Sequence, residues 1–69
     1  PSSPLELNHF LEDSEELLLE IGFLLKHTSK ARMAKIKGLL QRAEIRSEEI
    51  SLIRGMIRQV RWALHNRKP

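Results

Sequence analysis

Apolar residues recur three and four positions apart through most of this chain, and that spacing predicts three helices joined by short turns. The first apolar face runs through Leu7, Phe10, Leu11, Leu17, Leu18, Ile21, Leu24 and Leu25, with Ser14 in its one polar slot. Ser3-Pro4-Leu5-Glu6 opens it: Ser3 can cap, Pro4 suits the first helical position, and Glu6 can close a capping box. Asp13 and Glu16 offer a second capping box, but one helix over about 4–27 accounts for the stripe better.

His27-Thr28-Ser29 reads as a turn, with Thr28 or Ser29 capping a second helix over 29–44. That helix turns Met33, Ile36, Leu39, Leu40 and Ala43 inward, with Lys30, Lys35, Lys37, Gln41 and Arg42 on its flanks and outer side. Gly38 weakens it by roughly 1 kcal/mol relative to alanine, or marks a close helix–helix approach. The pattern resets at Ile45-Arg46-Ser47. Ser47 is the expected cap of a third helix over 48–66, with Glu48 and Glu49 favourably placed at its positive end. Ile50, Ile53, Ile57, Val60 and Leu64 form its core seam, widened by Leu52, Met56 and Ala63.

The expected fold is all-α: a small three-helix bundle, antiparallel and up-down-up, with dimerisation as one way to complete its core. Residues 1–3 read as a linker remnant, 4–66 as a single helical domain and 67–69 as a tail. The opening Pro-Ser-Ser-Pro suggests a domain excised from a longer protein. Sixty-nine residues bury only about 60% of the unfolded surface, so stability is marginal without a partner. There is no cysteine, which fits a reducing, intracellular setting, and no apolar run long enough to span a bilayer.

Charge adds a second pattern. Residues 1–25 hold six acids and no lysine or arginine, whereas 26–69 hold all twelve basic residues against three acids. Glu12, Glu16 and Glu20 form a ladder on helix 1; Arg54, Arg58, Arg61 and His65 form another beside the core seam of helix 3. The two ladders can neutralise each other across a helix–helix contact. Trp62 lies opposite the core, where it either meets a partner or is covered by Arg58 or the N-terminal segment. Leu19 and Phe23 leave the main stripe of helix 1, as a second seam or as part of a helix buried on two sides.

These features favour a protein-interaction module of a scaffold or regulatory complex, docking a helical or acidic segment. Arg54, Arg58, Arg61, Trp62, His65, Leu19 and Phe23 are the candidate contacts. Nucleic-acid binding through the basic faces of helices 2 and 3 ranks behind it, as does homodimerisation. Residues 41–56 only loosely suggest a helix-turn-helix, because Glu48 and Glu49 sit where such a motif meets the DNA groove. A membrane-surface or calmodulin-target helix ranks lower still, given the acidic first helix. Enzyme chemistry finds no support: His9 with Glu12 and Asp13 brings one imidazole only, and no nucleophile–base pair or phosphate loop is present. No cofactor or metal is expected.

Overall fold

Ser3 starts the first helix as its composition dictates. In the computed structural model, which describes residues 2–67, its hydroxyl accepts the amide of Glu6 at 3.1 Å and Pro4 takes the first helical position. Helix α1 then runs unbroken over Pro4–Glu20, past the alternative cap at Asp13. It stops well short of residue 27 because Gly22 adopts φ +84. The Gly22 amide donates to the Leu19 carbonyl at 3.1 Å, and the Leu24 amide donates back to Leu18 at 3.0 Å. A left-handed residue ends a helix, and glycine adopts that conformation without steric cost. The turn tucks Leu24 into the core but leaves Ile21 and Leu25 exposed, contrary to their place in the predicted stripe. Gly22→Ala is expected to cost about 1 kcal/mol or more in urea denaturation, since φ and not space is limiting there.

Helix α2 spans Ser29–Arg42 and α3 spans Ser47–His65, so all described secondary structure is helical. Thr28 takes the N-cap position of α2 as expected, but neither it nor Ser29 spends its hydroxyl on an α2 amide. Thr28 Oγ1 donates to the Leu25 carbonyl at 3.3 Å, and the Ser29 hydroxyl donates to the Glu15 carboxylate. Arg46, not Ser47, occupies the N-cap of α3. Its amide is held by the Glu49 carboxylate at 2.9 Å, while the Ser47 hydroxyl reaches Glu6 at 2.7 Å.

These links fix the topology. Ser47 meets Glu6 near the start of α1 and His65 meets Glu20 at its end, so α1 and α3 run the same way. Ser29 meets Glu15, while the Ser2 amide donates to Ile45 beyond the far end of α2, so α2 runs opposite. These contacts are compatible with the up-down-up order, with α1 at the centre. It packs on both neighbours, and no Cα pair joins α2 to α3 within 8 Å among the described residues. Leu7, Phe10, Leu11, Leu24, Met33 and Ile50 form the core, flanked by Leu18, Leu19, Ile36, Leu40, Ile53 and Ile57.

The result is an open layer of 41 × 29 × 16 Å. Its radius of gyration is 12.8 Å, against about 11 Å for a closed domain of this length. The openness explains why part of the predicted core is exposed. Leu39 on α2, Ala43 at its C-cap, and Leu52, Met56, Val60 and Ala63 on α3 are exposed because α2 and α3 do not close on each other. Such an edge is compatible with completion by a second copy.

Candidate nucleic-acid interface

Two cations of the α3 ladder are consumed inside the fold. Arg61 donates to the Asp13 carboxylate at 2.8 Å and to the Asp13 carbonyl at 3.0 Å, and both side chains are largely covered. His65 closes the other end of the α1–α3 contact on Glu20. The expected meeting of ladders is therefore only partial: Asp13 takes the place expected for Glu12 or Glu16, which stay exposed. Arg54 is half-buried and Arg58 exposed, and neither has an acidic partner among the described residues. Asp13→Ala strands the Arg61 guanidinium against the fold and is expected to cost about 1–2 kcal/mol. Glu16→Ala should change stability by less than about 0.5 kcal/mol, and paired denaturation curves check the contrast.

The remaining candidates lie apart. Leu19 is half-buried against the core, so it belongs to a helix covered on two sides rather than to a second free seam. Phe23 lies beyond α1 in the turn, 57% exposed, with the Arg32 guanidinium 5.8 Å from its ring centroid. Trp62 is 61% exposed, so neither cover anticipated for it forms. The predicted set does not assemble into one patch: Arg61 and His65 tie α3 to α1, while Arg58 and Trp62 face outward.

Helix α2 carries a stronger positive surface than its flanking lysines alone suggest. Its fourteen residues carry Lys30, Arg32, Lys35, Lys37 and Arg42 and no acid at all. The inner edge is answered by α1: Lys30 pairs with Glu15 at 3.6 Å, and Lys30 and Lys37 line a groove shared with Glu12 and Glu15. Lys35 and Arg42 are exposed, without an acid within 4.0 Å among the described residues. Seven residues apart, they stand on one face about 10.5 Å from each other. Gly38 lies between them, and its near neighbour is the Arg42 guanidinium rather than another helix. The signal available in the sequence was the run from Ser29 to Arg42, basic without interruption by an acid.

A cationic helix whose own fold neutralises only one edge is what a polyanion-binding domain presents. Residues 5–69 match the family described as tRNA methyltransferase TrmJ, C-terminal domain, and the chain belongs to that family. No match was found among curated proteins, and none among solved structures.

The family corrects two expectations. It is a domain of a tRNA methyltransferase, not a protein-interaction adaptor of a scaffold, and nucleic-acid binding, ranked second from sequence, fits it better. The lower rank rested on a DNA criterion, the acidic start of the would-be recognition helix. RNA imposes no such criterion, because its deep, narrow major groove does not admit a reading helix. The family also belongs to an enzyme, which conflicts with the expectation of a non-enzymatic protein. A domain of a tRNA-modifying enzyme works inside the cell, in agreement with the sequence expectation. No described helix is long and apolar enough to cross a membrane.

Proposed function

We propose that residues 4–66 form a tRNA-holding domain of a methyltransferase, contacting backbone phosphates through the outer face of α2. The observation that carries the reading is the acid-free α2, with Lys35 and Arg42 exposed on one side and without an acid partner among the described residues. Phosphate contacts need cations that the fold has not already neutralised, and these two meet that condition. Lys26, in the turn before α2, and Arg32 extend the positive surface towards its N-terminal end. Arg54 and Arg58 on α3 supply a second group of cations. Contacts of this kind set affinity and register rather than sequence choice. In this reading the domain binds and orients the substrate, and methyl transfer belongs to other parts of the enzyme.

The test is tRNA binding by this chain through a salt series. Binding is expected at low ionic strength, weakening log-linearly as salt rises, because each occupied cation releases condensed counterions. Absence of binding at low salt removes the proposal.

A further inference from the structure

We propose that the outer face of α3 carries a stacking site for an unpaired RNA base, with the Trp62 indole as platform and Arg58 as the flanking cation. This rests on the RNA-binding reading but on different residues from those that carry it.

Three observations meet on that face. Trp62, the single tryptophan of the chain, is 61% exposed in a well-formed helix, and the cation–π contact that the fold does make lies elsewhere, between Arg32 and Phe23. Arg58 stands one turn before Trp62, exposed and without an acid partner among the described residues. Gly55 stands two turns before it on the same side, in the helix interior, where glycine costs about 1 kcal/mol relative to alanine. Packing does not account for that glycine: a Cβ built there meets nothing within 4 Å, and its φ is not in the left-handed region.

Helical side chains lean towards the N-terminus, so the indole leans over the turn between it and Gly55. The missing side chain at Gly55 leaves the helix surface beside that turn open. A planar group can enter there, lie against the indole and approach the helix backbone, with the Arg58 guanidinium beside it. Glu48, the acid on that side of α3, is two further turns away and within 3.9 Å of Arg46. An unpaired base fits this combination better than a paired one, since stacking on an aromatic side chain requires a free face. Stacking of this kind accepts any base and adds affinity that phosphate contacts alone do not give.

The tryptophan is its own reporter. The chain is titrated with bulk tRNA, with an RNA stem-loop, and with a blunt RNA duplex of equal phosphate number. The stem-loop and tRNA are expected to quench Trp62 fluorescence, and the duplex to bind with little quenching. Trp62→Ala should weaken stem-loop binding about 5- to 150-fold and leave duplex binding unchanged, while Trp62→Phe retains most of the affinity. Gly55→Ala should raise the melting temperature yet weaken the stem-loop, a combination that a purely structural glycine does not give. Circular dichroism confirms that the variants fold. Salt-sensitive RNA binding with no quenching and no effect of Trp62→Ala overturns the stacking site and leaves the phosphate reading standing. No RNA binding by the unaltered chain at low salt overturns both.

Discussion

An Ile50→Ala chain is expected to lose most of its stability, with a melting temperature at least about 10 °C lower. Ile50 is the one residue of α3 that is fully buried, at 0% exposure, and it inserts into the cluster of Leu7, Phe10, Leu11, Leu24 and Met33. Truncating a buried isoleucine to alanine removes transfer energy and leaves a cavity, together costing about 2–5 kcal/mol. A domain of this length is stable by only roughly 3–10 kcal/mol. The open layer, in which α2 and α3 do not support each other, places it towards the lower end. Leu52→Ala on the same helix is the control. Its side chain is exposed, so the change should stay within about 0.5 kcal/mol. Thermal melts by circular dichroism decide the matter, and equal melting of both variants would show that α3 does not dock through Ile50.

Reversing Lys35 and Arg42 together to glutamate is expected to lower tRNA affinity by about 100-fold or more near 0.1 M salt. Each lost phosphate contact removes counterion release worth close to a factor of ten at that ionic strength, and the reversed charges add repulsion. Stability should hold, because both side chains are exposed and have no acid partner among the described residues, and glutamate is as good a helix former as lysine or arginine. The loss should appear as binding only, with an unchanged helical spectrum. A variant that binds as tightly as the unaltered chain would move the interface off α2.

The three helices were legible because apolar spacing and the Ser3-Pro4 start are local signals. The end of α1 was legible in principle through Gly22, but Leu24 and Leu25 continued the period beyond it. Periodicity reports which residues seek burial, not where the backbone turns. Leu24 reaches the core from a turn as well as it could from a helix. The exposed edge at Leu39, Leu52 and Met56 was not legible, because an amphipathic stripe looks the same whether or not a third helix closes over it. Charge matching was half legible. Asymmetry predicted that acids of α1 would meet bases elsewhere, but the partners depend on reach across a helix crossing. Thus Arg61 found Asp13, and Lys30 found Glu15, outside the predicted ladders.

The candidate site suffered from the same limit. In sequence α3 stands out for an arginine ladder and a tryptophan, although Arg61 and His65 there are structural ties. The plainer run of Lys35 and Arg42 became informative only once the structure separated neutralised cations from free ones. The acidic start of α3 argues against entry into a DNA groove, whereas binding of tRNA through phosphates needs no such entry.

The most direct test of the phosphate-binding face compares salt slopes. Log affinity for tRNA is plotted against log salt for the unaltered chain and for Lys35→Ala/Arg42→Ala, each replaced by a neutral residue that keeps the helix. Loss of two phosphate contacts should reduce the magnitude of the slope by about 2. Parallel lines, with the two slopes equal within error, would contradict the account.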